Sequence, residues 1–447
     1  MNDTIAAIAT AHGIGSIAIV RLSGPQARPI ALSLTGKSDL TPRYATLSPL
    51  HSPAGTLIDE AIVIYFEGPK SFTGEDIIEF QCHGGMVVAE QMLRAVIESG
   101  ARLAEPGEFS KRAFLNGRLD LTQAEAIASL IEAKSDDAAR ILARQMKGEL
   151  RSYVEGVRDS LLEILAYSEV VIDYAEEDLP EDLVDQIASK LDAIRNGLAR
   201  TMESSRRRSG LMQGYRVAII GKPNVGKSSL LNALLDYERA IVSDIAGTTR
   251  DTIEEQVRIG THLIRLVDTA GIRNASDEIE KIGIERSISA IENADVVIAL
   301  FDSSRPADGE DMTIIELIRR YQDEKPFICV LNKADLTERF DTAVLNELSP
   351  IKMSCKQDTQ TLIDALQRHM DHDNDSEEIM LISARQVNAV SSAVRSIEEA
   401  YEPLRDGELE FFSFHINGAI RAVASLTRPY ELDEMFDKMF GQFCLGK

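Results

Sequence analysis

The residues Gly221-Lys222-Pro223-Asn224-Val225-Gly226-Lys227-Ser228 carry the spacing G-x-x-x-x-G-K-S, the most chemically pointed pattern in the chain. Glycine lets a backbone wrap closely enough to aim successive amide N–H groups at phosphate oxygens, and a helix that starts at the loop adds the positive end of its dipole. The apolar run 217–220 predicts a strand before the motif, and 229–235 predicts a helix after it, the context this loop requires. Lys227 is then placed to reach the outer phosphates and the Ser228 hydroxyl to hold Mg²⁺, with Asn224, Val225, Gly226 and Ser229 completing the phosphate-binding surface.

Further segments follow in a fixed order. Asp244-Ile245-Ala246-Gly247-Thr248-Thr249-Arg250-Asp251 offers Thr249, a hydroxyl able to sense a γ-phosphate through Mg²⁺. Asp268-Thr269-Ala270-Gly271 follows an expected strand over 262–267; its carboxylate suits the metal's water shell and the Gly271 amide suits a γ-phosphate oxygen. Asn332-Lys333-Ala334-Asp335 follows an expected strand over 327–331. A carboxylate there accepts two hydrogen bonds from the N1–H and 2-amino groups of guanine, which adenine does not supply. Two segments compete for the last base contact, Ser354-Cys355-Lys356 and Ser383-Ala384-Arg385. The first is preferred, because it lies where a sixth strand ends and precedes a closing helix over 361–370. Together these segments predict a domain over 214–370 that binds and hydrolyses GTP. A glutamine that orients water often follows D-T-A-G; here Ile272 stands instead, so another group must act. Arg273, Glu278 and Glu280 follow, and each taken alone also reads as a solvated loop charge.

The elements that position these residues follow from periodicity. Residues 215–370 alternate strand and helix patterns, the signature of a doubly wound α/β domain. Residues 1–118 mix short apolar runs with Gly and Pro turns, with strands expected over 16–21, 60–66 and 76–81 and a helix over 87–99, a compact α+β unit. From 122 to about 209 Gly and Pro nearly vanish and Leu, Ile and Ala recur at spacings of three and four, which predicts long amphipathic helices. Helical periodicity resumes near 381, after the acidic stretch 371–378. The α/β domain is therefore expected as an insertion in one helical domain, whose two parts are 119–213 and 371–447.

Bulk composition narrows the classes. The chain has 447 residues and a net charge of −24, a poor balance for a general nucleic-acid binder. Residues 1–118 are nearly neutral, with 10 Lys and Arg against 12 Asp and Glu. Basic side chains at Arg206, Arg207, Arg208, Arg140, Arg144 and Lys147 are candidates for tRNA contact or simply a solvated helical face. No run approaches the roughly 18 apolar residues of a membrane span, and the N-terminus lacks a basic region, so no membrane or secretory role is expected. Cys82, Cys329, Cys355 and Cys444 form no C-x-x-C pair, which fits a reducing cytoplasm.

The blocks Glu105 to Ser110 (EPGEFS), Arg112 to Asn116 (RAFLN), Leu119 to Ile127 (LDLTQAEAI) and Ser276 to Arg286 (SDEIEKIGIER), with the tail Phe443-Cys444-Leu445-Gly446-Lys447, closely resemble the tRNA-modification GTPases of the MnmE (TrmE) family across the full chain. The resemblance implies an N-terminal tetrahydrofolate-binding, dimer-forming α+β domain, a discontinuous helical domain and an inserted Ras-like P-loop GTPase domain. It implies that a homodimer works with a flavin-dependent partner, MnmG (GidA), in a heterotetramer or larger complex. That complex converts C5 of the wobble uridine of certain tRNAs to the aminomethyl or carboxymethylaminomethyl form. A 5-formyl- or 5,10-methylene-tetrahydrofolate supplies the carbon, and FAD resides on the partner. By position, Asn224, Ser243, Ile245 (through its carbonyl) and Thr248 match the K⁺ ligands, Ser243 standing where the family has threonine. Glu280 matches the proposed catalytic glutamate and so answers the missing glutamine. Arg21, Glu79, Arg118 and Lys447 match the folate contacts; without the resemblance they read as surface charges. Cys444 is implied as a participant in the modification chemistry, against a reading as simple packing; its tail lacks the residues of a lipidation box.

Two other functions compete. A regulatory GTPase acting by binding, for example in ribosome assembly, fits the GTPase segments equally well, but not the N-terminal block or the tail. A stand-alone folate-dependent methyltransferase with an attached switch would need no flavoprotein.

Overall fold

In the computed structural model, the described residues form two sheets of six strands each. The structure describes residues 3–11, 13–173, 183–239, 255–267, 280–371, 379–428 and 446. By contacts the chain divides into two compact units. One holds Met1–Ile131, Arg144–Arg195 and Asn388–Lys447; the other holds Glu132–Ala143 and Asn196–Val387.

The first unit begins with β1 (Ile5–Ile8), β2 (Ile17–Ser23), α1 (Ala27–Thr35), β3 (Thr46–His51), β4 (Leu57–Phe66), β5 (Ile77–His83), α2 (Met86–Glu98), β6 (Arg102–Leu103) and α3 (Glu108–Leu115). The sheet order is β3-β4-β5-β2-β1-β6, antiparallel except where β6 runs along β1. Strand alternation explains both faces. Val20, Leu22, Ile78 and Phe80 point into a core closed by Ile30 and Leu34 of α1 and by Met92 and Val96 of α2. Fully burying each such side chain contributes about 1.5–3 kcal/mol. The intervening residues Arg21 and Glu79, which face each other across β2 and β5, occupy the opposite face. There α3 brings Phe109 into a smaller cluster with Ile5 and Ala7.

The helical run divides into α4 (Leu121–Glu132), α5 (Asp136–Met146), α6 (Glu149–Asp173), α7 (Leu183–Arg207) and the short α8 (Ser209–Gln213). The second sheet follows, with β7 (Tyr215–Ile220), α9 (Lys227–Arg239), β8 (Glu255–Ile259), β9 (His262–Val267), α10 (Glu280–Asn293), β10 (Val296–Asp302), α11 (Gly309–Tyr321), β11 (Phe327–Asn332), β12 (Ile351–Lys352) and α12 (Gln360–Asp371). Its order is β12-β11-β10-β7-β9-β8, parallel except for β8. Val217 and Ile219 pack on one face and Ala218 and Ile220 on the other, as a strand covered on both sides requires. The chain ends in α13 (Ala384–Asp406) and α14 (Leu409–Ala424). In the first unit α14 meets α6 through the Ser168 and Ser413 hydroxyls, 3.2 Å apart, and α13 meets α7 where Tyr401 donates to Asp192 at 2.7 Å. Among the described residues no helix is long and apolar enough to cross a membrane.

Five elements of residues 1–118 were absent from the sequence-based expectation: β1, α1, β3, β6 and α3. β1 is four apolar residues, too short for a period. β3 contains Pro49, a residue that argues against a central strand; the strand lies at the sheet edge, where a missing N–H does no harm.

Candidate guanine-nucleotide site

Strand order reverses direction at β7 and β10: β9 and β8 lie to one side, β10, β11 and β12 to the other. A doubly wound sheet opens its ligand crevice at the carboxyl ends of the strands at such a switch point. Residues Gly221 to Ser228 leave β7 there and enter α9, which begins at Lys227. Asn224 has φ 64° and Gly226 φ 109°, both left-handed values that bend the loop around its own amides. Asn224, Ser228 and Ser229 are exposed.

The Lys227 ammonium hydrogen-bonds to the carbonyls of Gly221 at 2.6 Å and Lys222 at 2.8 Å. Burial pushes it below the ordinary lysine value, with only Glu310 opposing. A desolvated ammonium held by neutral carbonyls is poised to transfer its bonds to anionic phosphate oxygens, which are stronger acceptors.

Asn332 joins three segments. Its amide donates to Val225 O in the phosphate loop at 2.8 Å, and its oxygen accepts from the Cys355 N–H at 3.0 Å. Ala334 N–H donates to Met353 O at 3.1 Å, so residues 332–335 and 354–356 are set side by side, with Ala334, Asp335 and Lys356 exposed and Ser354 buried. Lys333, at φ 64°, reaches Asn224 O at 2.9 Å and Asp302 at 2.6 Å. Burial alone would raise the Asp302 carboxyl, but hydrogen bonds from Lys333 and Ser304 hold it below the usual carboxylate range. Sequence reasoning missed Asp302, since a carboxylate ending a strand looks like any turn residue. The competing segment at 383–385 instead starts α13, where Ser383 Oγ accepts from Gln386 N–H at 3.2 Å. Glu280 is the first residue of α10, and its side chain lies outside the described residues. So do Ser243, Asp244, Ile245, Ala246, Gly247, Thr248, Thr249, Asp268, Thr269, Ala270 and Gly271, with Arg273 and Glu278.

A Cβ on Gly226 would fall on the Asn332 amide nitrogen, and its φ is strained for any other residue. Gly226→Ala is therefore expected to cost about 1–3 kcal/mol in the loop geometry, weakening nucleotide binding roughly tenfold to a hundredfold. Titration with a fluorescent GDP analogue reads this directly, and wild-type affinity would show that the loop does not need this close approach.

In the first sheet, Arg21 bonds Glu79 at 2.8 Å, with its guanidinium 5.8 Å from the Phe109 ring centroid. Arg118 donates to Ser71 O at 3.1 Å. Gly446, at φ 93°, lies so close to the end of β1 that a Cβ there would sit 2.5 Å from Ile8 O. Gly446 thus lies beside the strand next to β2, and Cys444 and Lys447 lie outside the described residues. Of the basic residues considered for tRNA, Arg208 is buried, at 6 % exposure, and is withdrawn as a surface contact. Arg206 and Arg140 are exposed, and Arg144 is paired with Glu149 at 2.9 Å.

Comparison with known proteins matches two family models along the chain. The family model for the MnmE helical domain matches residues 121–444, and that for the GTP-binding protein TrmE N-terminus matches residues 4–118. A protein named tRNA modification GTPase MnmE from Sulfurimonas denitrificans is 63 % identical over 446 residues, covering 100 % of both chains. Proteins of the same name from Nitratiruptor sp. and Sulfurovum sp. are 60 % and 57 % identical, each covering 100 % of this chain and 99 % of its own. With the G-x-x-x-x-G-K-S loop and the 332–335 segment at one strand-end crevice, and with the two family models accounting for nearly all its length, the chain belongs to the MnmE (TrmE) family of tRNA modification GTPases.

Proposed function

We propose that the chain is a K⁺-activated GTPase whose hydrolysis cycle drives modification of C5 of the wobble uridine in certain tRNAs, giving the aminomethyl or carboxymethylaminomethyl form. The observation that carries this reading is Asn332, which ties the phosphate loop to the two base-contacting segments in one crevice. Ser228 at the start of α9 suits Mg²⁺, which neutralises the β- and γ-phosphate oxygens. Asn224, exposed in the loop three residues before Lys227, suits K⁺, which supplies positive charge where other GTPases use an arginine. The chain's own residues bind and orient: Lys227 takes the phosphates, Asp335 selects guanine, and Glu280 orients the attacking water.

The partly exposed pair Arg21 and Glu79, with Arg118 and with Gly446 beside the end of β1, supports a folate site. Glu79 suits the donor edge of a pterin, and Arg118 and Lys447 suit the carboxylates of the glutamate tail. The bound folate supplies the one-carbon unit. Exposed Leu47 and Ile62, paired across β3 and β4, support a homodimer built on this sheet. The flavin-dependent MnmG (GidA) partner joins it in a heterotetramer or larger complex in the cytoplasm, and Cys444 acts in the tRNA chemistry.

GTP turnover compared in KCl and NaCl tests the metal assignment. We expect at least about a tenfold advantage for K⁺, as for a charge placed where the transition state develops its own. Glu280→Ala should lower kcat by about 10²–10⁴ while leaving GDP affinity unchanged. Equal turnover in the two salts would remove the K⁺ role, and a Glu280→Ala enzyme as fast as wild type would remove that of Glu280. Nucleoside analysis of tRNA from a deletion strain should show the wobble modification lost.

A further inference from the structure

Lys222 is the one charged residue among the variable positions of the phosphate loop, and neither the loop's chemistry nor the family comparison gives it a task. A solvated loop lysine would point to water. Lys222 does the opposite: its side chain is 9 % exposed, and its ammonium lies 2.6 Å from Asp308 and 2.6 Å from Asp311. Asp311 is fully buried, and its second oxygen has no partner among the described residues. These two carboxylates also build the start of α11. Asp308 caps the helix, accepting from the Glu310 and Asp311 N–H groups, while Asp311 accepts from the Asp308 N–H at 3.1 Å. Desolvation alone would favour a neutral lysine, but the hydrogen bonds to Asp308 and Asp311 hold the ammonium above its ordinary value.

The backbone of the same residue faces the other way. The Lys222 carbonyl, with that of Gly221, holds the phosphate-binding ammonium of Lys227. One residue therefore grips α11 with its side chain and Lys227 with its main chain. We propose that Lys222 is a positioning residue for GTP: its buried ion pair with Asp308 and Asp311 fixes the phosphate loop on the N-terminus of α11, and so sets nucleotide affinity without touching the nucleotide. This rests on the guanine-nucleotide reading above. Two physical effects act in the same direction. Losing the ammonium frees the loop backbone that orients Lys227, and it leaves two carboxylates beside a site that must accept a polyanion.

The test is a mutational cycle read by titration with fluorescent GDP and GTP analogues, with steady-state kinetics in K⁺. Lys222→Ala should weaken both nucleotides roughly tenfold to a hundredfold, as expected when a buried pair loses one partner. The change should fall on KM, with kcat at saturation within about twofold, since no transition-state contact is removed. Lys222→Arg keeps the charge and should restore affinity to within about threefold. Asp308→Asn keeps the helix cap, because asparagine caps as well as aspartate, yet should weaken nucleotide by several-fold. Combined with Lys222→Ala, it should add no further loss, because the two residues act through one interaction. A purely structural role would lower thermal stability and leave KM unmoved. Wild-type affinity in Lys222→Ala, or full additivity with Asp308→Asn, would overturn the proposal while the guanine assignment stands. Absence of guanine-nucleotide binding by the unaltered chain would overturn both.

Discussion

Asp335→Asn is expected to lose GTP affinity by about 10²–10³ and to gain affinity for xanthosine triphosphate. In the proposed site the Asp335 carboxylate is the acceptor for the guanine N1–H and 2-amino groups. Hydrogen bonds to a charged group are each worth about 1.5–3 kcal/mol, so losing the pair costs about 3–4 kcal/mol, or two to three decades in Kd. An asparagine keeps one acceptor but sets an NH₂ donor against a guanine donor. Xanthine carries an oxygen at position 2, which that NH₂ can meet. The scaffold around Asp335 is independent of its side chain: Ala334 N–H is held by Met353 O and Asn332 by Val225 and Cys355, while Asp335 itself is exposed. The substitution should therefore leave the fold intact and change only specificity. Competition titrations with GTP, ATP and xanthosine triphosphate measure it; an unchanged preference for GTP would remove the guanine assignment.

What the sequence made legible and what it did not divides along sequence separation. The phosphate loop, the strands before it and after it, and the 332–335 segment were readable because each motif sits on its own strand and carries its chemistry in consecutive residues. The choice of 354–356 over 383–385 also rested on local order, and the Cys355 N–H to Asn332 bond gives the first segment a place beside the base-selecting loop. Contacts between distant residues left no trace. Lys222 and Asp308 are 86 positions apart and Lys333 and Asp302 are 31 apart; in a single sequence each reads as an ordinary surface charge. Arg208, the last of three consecutive arginines, showed the reverse error. Composition marked it as a solvated basic residue, and only its position between α7 and α8 buries it. Arg21 and Glu79 were found through family resemblance alone. The structure adds the register that places them opposite one another on neighbouring strands, a pairing that no local pattern encodes.

The block Arg112 to Asn116 carries the second large prediction. Arg112 is 1 % exposed, yet its guanidinium binds three carboxylates. It donates to Asp3 O and Oδ1 at 2.9 Å, to Glu75 at 3.1 and 3.2 Å, and to Glu108 at 3.0 Å. Glu108 also receives Arg102 at 2.5 and 2.8 Å, and Glu75 accepts from Ser23 Oγ at the end of β2 at 2.8 Å. One buried cation thus holds together the chain before β1, the end of β2, the loop before β5 and α3. Arg112→Met keeps most of the volume but takes the buried cation from Glu75 and Glu108, and should destabilise the first sheet by about 3–5 kcal/mol. Hydrogen exchange of the β2 and β5 amides reports this better than a single melting point, since a chain of two units need not unfold in one step. Acid should act through the same network. Burial alone would raise the Glu108 carboxyl, but hydrogen bonds from Arg102, the Glu105 amide and Arg112 hold it below its ordinary value of 4.5. A depressed folded value contributes stability that is complete above the unfolded value and is lost as pH falls through the folded one. Wild-type β2 and β5 should therefore stay protected down to about pH 4.5 and lose protection below it, while Arg112→Met starts lower and falls less steeply. Because α3 carries the Phe109 ring beneath Arg21, a residue of the proposed folate site, the same variant should also lower the calorimetric heat expected with a formyl-tetrahydrofolate, even at temperatures where the sheet remains folded. Full protection and undiminished folate heat in Arg112→Met would mean that apolar packing alone holds α3 against the sheet.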